Sequence, residues 1–242
     1  MRAIRPTCRV ALVQAEPVMF DKQASLDKVL RAIDEAAKRT GPISAWASPS
    51  GTLFNSNVIF EPDGIWKIHR KIKPTGAERV VWDDADRGYF PVTDTPWGPM
   101  GALICWESDM PLARVALYQK GITIYISANT NDNPEWFSTI QHIAIEGKCF
   151  FINADMLIRK SSYPTDLLEN DTVQAISEDI VCRGGSCIVD PFGHYVTQPV
   201  WEKGEIIYAD LDMNLPAVCK MEHDAVGHDS RPDILELIVH EK

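Results

Sequence analysis

Cys105 has the sequence position of a nucleophile. It ends an apolar run at residues 101–105 (GALIC), and a helix is predicted to begin shortly afterwards, at about residue 111. In α/β proteins, ligands bind beyond the carboxyl ends of buried strands. The positive end of a helix favours the thiolate, which is the reactive form of cysteine. Cys105 is therefore the best nucleophile candidate in the chain, although a buried cysteine is often only a small hydrophobic residue.

The cysteines are spread along the chain rather than grouped. They are Cys8, Cys105, Cys149, Cys182, Cys187 and Cys219. Most lie in apolar segments, which favours reduced, buried thiols over a disulfide framework and a reducing compartment such as the cytoplasm. No histidine lies at zinc-finger spacing from them, so neither a metal nor another cofactor is expected.

The composition is that of an ordinary globular protein. The chain has 242 residues, 45% hydrophobic and 24% charged, which suits a single domain over residues 1–242. A net charge of −10 argues against nucleic acid or an anionic membrane as the main partner. No apolar run has the length of a membrane span, and the basic N-terminus lacks the apolar stretch of a signal peptide.

Strand-like and helix-like segments alternate along the chain. Strands are predicted at residues 10–15, 57–60, 65–68, 101–105, 122–128, 149–154, 186–190 and 206–211, the last two joined by a Pro-Phe-Gly turn. Helices are predicted at residues 24–38, at 111–120 and after Asn133-Pro134. This alternation predicts an α/β sandwich in which helices cover buried strands, followed by a polar, extended tail from about residue 214.

Five segments, in this order, resemble the nitrilase branch of the carbon–nitrogen hydrolase superfamily. They are HRKIKPTGAER (69–79), GALICWESDMPLAR (101–114), TIQHIAIEGKCF (139–150), GGSCIVDPFGHYV (184–196) and HDAVGHDSRPDI (223–234). VALVQAEPV (10–18) is also similar to nitrilase sequence, and NTNDNPEW (129–136) resembles the fungal-type enzymes that act on aromatic or arylaliphatic nitriles. The resemblance covers nearly the whole chain except about residues 41–50.

The resemblance implies an αββα sandwich and a Cys-Lys-Glu triad. The family's nucleophile falls on Cys105, its catalytic lysine on Lys71, and a second acidic residue that holds the lysine and the substrate on Glu78. Negative charge develops on the nitrile nitrogen during attack, so a fixed cation there stabilises the transition state. Without the motif, Lys71 would be interpreted as a solvated charge, and Glu78 as a surface charge or an ion-pair partner.

Two further residues are assigned to the substrate pocket. Trp106 directly follows the nucleophile and shapes the pocket or packs in the core, and Asn129 follows a predicted strand end and could face the pocket. By resemblance, the protein self-associates as a dimer or a longer spiral. The dimer surface would be formed by the helices at residues 110–120 and 136–147.

The family's general base, a glutamate usually found within Phe-Pro-Glu, has no counterpart here. After the first helix the chain passes through GPISAWASPS (41–50), which contains neither Asp nor Glu, into sequence that resembles a later part of the family. This indicates an internal deletion near residues 41–50 and a sandwich that is incomplete after the first strand–helix unit. Glu78 and Glu107 are the nearby acids by sequence, and neither is assigned the role of base.

The sequence thus predicts a hydrolase that converts an organic nitrile to a carboxylic acid and ammonia through a covalent thioimidate on Cys105. Two alternatives stay open. One is a catalytically impaired protein that retains the fold, because loss of a general base typically lowers a rate by about 10²–10⁴-fold. The other is a nitrile or cyanide hydratase activity that stops at the amide.

Overall fold

The computed structural model describes residues 4–19, 21–37, 52–61, 63–85 and 88–241. The strands are β1 (Thr7–Gln14), β2 (Ser56–Phe60), β3 (Trp66–Arg70), β4 (Val92–Thr95), β5 (Gly98–Ile104), β6 (Ile124–Asn129), β7 (Phe150–Asp155), β8 (Leu157–Arg159), β9 (Ile180–Val189), β10 (Tyr195–Trp201) and β11 (Glu205–Asp212). The α-helices are α1 (Lys22–Ala37), α2 (Pro111–Tyr118), α3 (Pro134–Gly147), α4 (Thr165–Leu168), α5 (Asp171–Gln174) and α6 (Leu215–Glu222). Short 3₁₀-helices lie at Gly76–Val80, Cys105–Asp109 and Lys160–Ser162.

A seven-stranded sheet forms the centre of the molecule. Its strand order is β10-β9-β7-β6-β5-β4, and β8 pairs with β9. The strands β5, β6 and β7 are parallel and in register, with Ile104 opposite Ala128 and Ala128 opposite Ala154. Their carboxyl ends therefore meet at one edge of the sheet, where binding sites form in α/β proteins.

A second layer consists of two separate antiparallel pairs. Strand β1 pairs with β11 from Thr7 opposite Asp212 to Gln14 opposite Glu205. Strand β2 pairs with β3 from Ser56 opposite Arg70 to Phe60 opposite Trp66. Among the residues described, no strand pairing joins these two pairs into one sheet.

The core has two parts, one on each face of the large sheet. On one face, Leu103 and Phe151 pack with Leu117 of α2 and Ile140 of α3. On the other face, apolar residues of β6, β7 and β9 pack against β1 and β11; this set includes Leu12, Ile124, Phe150, Ile188 and Leu211. Successive residues of a strand face opposite sides, which is why the neighbours Phe150 and Phe151 belong to different parts. Helices, large sheet and second layer thus form an α/β sandwich.

Helices α2 and α3 approach each other closely because of a glycine. A Cβ atom on Gly147 would lie 2.4 Å from a carbon of the Tyr118 ring. Any side chain there would push α3 away from α2, so the glycine allows Tyr118 to be buried between the two helices.

The predicted α/β class is confirmed, but three of the observed strands were not predicted. The Pro-Phe-Gly turn joins β9 to β10, a strand that the sequence did not reveal, rather than to β11. Strands β4 and β8 were also missed, because each is only three or four residues long. The predicted join near residues 41–50 lies outside the described residues.

The prediction of an extended tail from about residue 214 was wrong. Residues 215–222 form α6, which starts with a proline in its first turn and buries Cys219. After α6 the chain has no further helix or strand up to residue 241, yet Val226, Leu237 and Val239 pack against the main core. No helix in the described ranges is both long and apolar enough to cross a membrane.

Leu117→Ala tests the position of the main core. Leu117 of α2 is 0% exposed, so we expect the substitution to lower the free energy of unfolding by about 2–5 kcal/mol. Leu30→Ala, at a residue of α1 that is 50% exposed, is the matched control, with an expected change within roughly 0.5 kcal/mol. Urea denaturation of both variants measures the difference, and equal losses would contradict the assignment of Leu117 to the core.

Candidate active site

Cys105 lies where strand β5 ends and the chain turns. It is the first residue of the 3₁₀-helix Cys105–Asp109, and its φ angle of 52° places it in the left-handed region. A residue other than glycine in this region is strained, and such strain is concentrated at functional sites. Cys105 is also the one cysteine of the six that is not fully buried, and all six are free thiols. These features agree with its prediction as the nucleophile.

The surroundings of the thiol were predicted wrongly in one respect. Burial, the largest effect, raises the pKa of the Cys105 thiol, and the charge of Glu78 adds to it. The charge of Lys71 and the backbone amides of Thr130 and Trp106 act in the opposite direction without reversing the outcome. Helix α2 begins at Pro111, as predicted, but the effect of burial is larger than that of these favourable contacts. The pKa of the thiol is therefore raised rather than lowered.

Lys71 is a buried charge, so its interpretation as a solvated surface lysine is excluded. It directly follows β3, its backbone N–H donates to the carbonyl of Asn55, and its side chain is 1% exposed. Its Nζ donates to Oε2 of Glu78 at 2.5 Å. A buried ammonium group requires such a partner, because removing an uncompensated charge from water costs several kcal/mol or more.

Glu78 holds the lysine and its own loop together. It lies in the 3₁₀-helix Gly76–Val80, and its side chain is 31% exposed. Besides Lys71, its Oε2 accepts the backbone N–H of Thr75 at 2.7 Å, and its Oε1 accepts the amide of Asn55 at 3.2 Å. Lys71 and Glu78 lie close enough to Cys105 for their charges to act on its thiol, in opposite directions.

Glu107, two residues after the nucleophile, is a buried carboxylate with several hydrogen bonds. It is 1% exposed, and Nε2 of His69 lies 2.8 Å from its Oε2. The backbone N–H groups of Ile72 and Ile104 also donate to it, at 2.5 and 2.9 Å. Both oxygens thus accept hydrogen bonds and are shielded from water, so Glu107 is not placed to act as a general base.

Trp106 and Asn129 have different environments. Trp106 is 49% exposed, which excludes the alternative of core packing and leaves the indole at the surface beside the nucleophile. Asn129 ends β6 and is buried. Its amide group donates to the carbonyl of Ser127 at 3.1 Å and to Oδ1 of Asn153 at 2.6 Å. The donors of Asn129 are therefore engaged within the protein.

A buried polar network connects the ends of the parallel strands. The Tyr125 hydroxyl donates to Ser108, which bonds to Ser127, and Ser127 donates to Asn129. Asn153 continues the network to Asp155, whose Oδ1 accepts the backbone N–H of Asn131. Burial raises the pKa of Asp155 to about 7, although these hydrogen bonds oppose the shift. We did not predict this network, although polar residues inside the apolar strands ITIYISAN and CFFINAD were a visible signal.

The site consists of a thiol, an ammonium group and a carboxylate. These groups can supply a nucleophile, a proton donor and a charge that orients the donor. In the described part of the chain, no cluster of three or more His, Cys, Asp or Glu side chains is arranged to hold a metal ion.

Comparisons with known proteins agree with this arrangement. The profile of the carbon–nitrogen hydrolase family matches residues 40–220. An aliphatic nitrilase of Sinorhizobium fredii is 40% identical over 192 residues, covering 79% of this chain and 62% of the relative. The chain thus spans less than two thirds of that relative's length.

Two further matches cover more of the chain. A bifunctional nitrilase/nitrile hydratase of Nicotiana tabacum is 32% identical over 300 residues, covering 97% of this chain and 86% of the relative. A carbon–nitrogen hydrolase of Helicobacter pylori has the same fold, with a TM-score of 0.73 at 19% identity and coverage of 94% of this chain and 96% of the other. The chain therefore belongs to the carbon–nitrogen hydrolase family.

Proposed function

We propose that this protein hydrolyses the carbon–nitrogen triple bond of an organic nitrile, with Cys105 as the nucleophile. The observation that carries the proposal is the buried Lys71–Glu78 ion pair, whose charges act on the Cys105 thiol. The names of the relatives from Sinorhizobium fredii and Nicotiana tabacum support the choice of a nitrile as substrate.

In the first step, the Cys105 thiol loses its proton to solvent, the thiolate sulfur attacks the nitrile carbon, and one bond of the triple bond opens towards nitrogen. The ammonium group of Lys71 faces the charge that develops there and donates a proton, which gives a neutral thioimidate. Glu78 holds the ammonium group in position for this transfer through the 2.5 Å hydrogen bond.

The second step determines the product. Water adds to the thioimidate carbon and forms a tetrahedral intermediate. If ammonia leaves, a thioester remains, and a second water releases the carboxylic acid. If the thiol leaves first, one water has been consumed and the product is the amide. Ammonia can leave only when the nitrogen is protonated. Proton donation by Lys71 therefore decides whether the product is the acid or the amide.

Ammonia release from a panel of aliphatic and arylaliphatic nitriles tests the proposed function. We expect release by the parent protein and its loss in Cys105→Ala, because no thioimidate can form without the sulfur. Product analysis by mass spectrometry separates the acid from the amide. Equal ammonia release by parent and variant would reject Cys105 as the nucleophile.

The second candidate function is that of an impaired member of the family, and the site supports it as well. Burial raises the pKa of the Cys105 thiol, and both oxygens of Glu107 accept hydrogen bonds within the protein. The tobacco alignment runs over 300 positions, more than the 242 residues of this chain, so the relative contains residues without a counterpart here. We infer that a segment with the general base is absent near residues 41–50. The same absence would explain why the strand pairs β1–β11 and β2–β3 do not form one sheet.

An impaired protein would bind the nitrile with little or no turnover. We then expect ammonia release about 10²–10⁴-fold slower than that of the Sinorhizobium relative assayed in parallel, because deprotonation of the thiol and of water lacks a base. In the fully impaired case, mass spectrometry would detect no thioimidate on Cys105, although the sulfur would still react with an alkylating agent. A rate equal to that of the relative would reject impairment.

The pH dependence of Cys105 alkylation tests the ionisation of the thiol. Because burial raises the pKa of the Cys105 thiol, a smaller fraction of its sulfur is thiolate than in a free cysteine at the same pH. We expect alkylation by iodoacetamide, followed at the Cys105 peptide by mass spectrometry, to keep accelerating at pH values where the reference has levelled off. A short cysteine peptide with a pKa near 8.5 is the reference. A plateau at or below pH 7 would contradict the raised pKa.

We further propose that the protein is cytoplasmic and associates through the surface that α2 and α3 share. Met110 and Leu112 at the start of α2 and Ile145 near the end of α3 are exposed apolar side chains. Association would remove them from water. Leu112→Glu is expected to lower the sedimentation coefficient measured by analytical ultracentrifugation. An unchanged coefficient would place any interface elsewhere.

A further inference from the structure

Glu107 connects the chain segments that carry the two reacting groups. Its Oε2 accepts the backbone N–H of Ile104, the residue directly before Cys105. Its Oε1 accepts the backbone N–H of Ile72, the residue directly after Lys71. One buried carboxylate therefore binds the end of β5 and the end of β3, which are not paired with each other as strands.

His69 is the side-chain partner of this carboxylate. Nδ1 of His69 lies 2.8 Å from the carbonyl oxygen of Tyr89, an acceptor only, so Nδ1 carries a proton. Nε2 lies 2.8 Å from Oε2 of Glu107. That carboxylate already accepts the backbone N–H of Ile104 at Oε2 and that of Ile72 at Oε1. A proton on Nε2 completes an imidazolium–carboxylate pair, which Phe90 covers by stacking on the ring at 5.7 Å.

We propose that Glu107, with His69 as its partner, is a positioning residue that sets the placement of the Lys71 ammonium group relative to the Cys105 sulfur. The proposal rests on the proposed function, since it takes Lys71 and Cys105 as the reacting pair. The hydrogen bonds of Glu107 join it to His69 and to the backbone N–H groups of Ile72 and Ile104. It acts through the backbone on both sides of the site, and misplacement of a reacting group by about 1 Å is enough to cost on the order of a hundredfold in rate.

A neutral amide cannot replace the carboxylate. In Glu107→Gln, one oxygen and one NH₂ group face two backbone N–H groups, so in either orientation one backbone donor meets another donor. The end of β5 or the end of β3 must then move. Either movement separates Lys71 from Cys105, and the sulfur loses the nearby positive charge that favours its ionised form.

The pH profile of Cys105 alkylation separates positioning from a merely structural role. We expect the midpoint of Glu107→Gln to shift to higher pH, in the same direction as that of Lys71→Met, which removes the charge altogether. A shift of one pH unit slows alkylation about tenfold at a fixed pH below the midpoint. Leu211→Ala, in the core part formed with β1 and β11, is the control for lost stability and is expected to retain the parental midpoint.

His69→Gln is the second variant in case Glu107→Gln does not fold, as judged by circular dichroism. Its amide still donates to Glu107 but carries no charge, so we expect a smaller shift in the same direction. A folded variant of either residue with the parental midpoint would overturn the proposal. Because alkylation requires no turnover, a shift in a protein that releases no ammonia would reject the proposed function and leave the positioning role supported.

Discussion

The site depends on the compensation of one buried positive charge. Lys71 has lost nearly all contact with water, and Glu78 is the carboxylate that balances it. Without Glu78, the lysine would have to become neutral or move towards solvent, since an isolated charge is not tolerated in the interior. The loop from Thr75 to Glu78 and the side chain of Asn55 are arranged around this carboxylate. The local structure of the chain after β3 thus provides the buried ammonium group of Lys71 with a carboxylate partner.

The large sheet supplies the other half of the site. Parallel register brings the ends of β5, β6 and β7 to one edge, and the polar residues there bond to one another. Buried polar networks of this kind fix a unique arrangement when every member is satisfied. The network therefore fixes the edge of the sheet at which β5 leads into Cys105.

Much of this arrangement could be predicted from the sequence, and the remainder shows what sequence patterns omit. Periodicity revealed the α/β class, and the motifs indicated Cys105, Lys71 and Glu78. The partners of Glu107 were not predictable, because His69 and Ile72 are more than thirty residues away and two of its donors are backbone groups. The ionisation of the thiol was misjudged because the sequence does not show how deeply Cys105 is buried, and burial is the largest effect on its pKa.

The left-handed conformation of Cys105 has a consequence for the residues that follow it. Three consecutive side chains enter three environments: the sulfur of Cys105 enters the site, the indole of Trp106 meets solvent, and the carboxylate of Glu107 enters the interior. An extra residue ahead of Trp106 would bury the indole where the carboxylate belongs, whereas the loss of one residue would place the acid at the exposed position of the indole. The turn therefore tolerates neither insertion nor loss of a residue, and the short sequence Cys-Trp-Glu behaves as an indivisible unit.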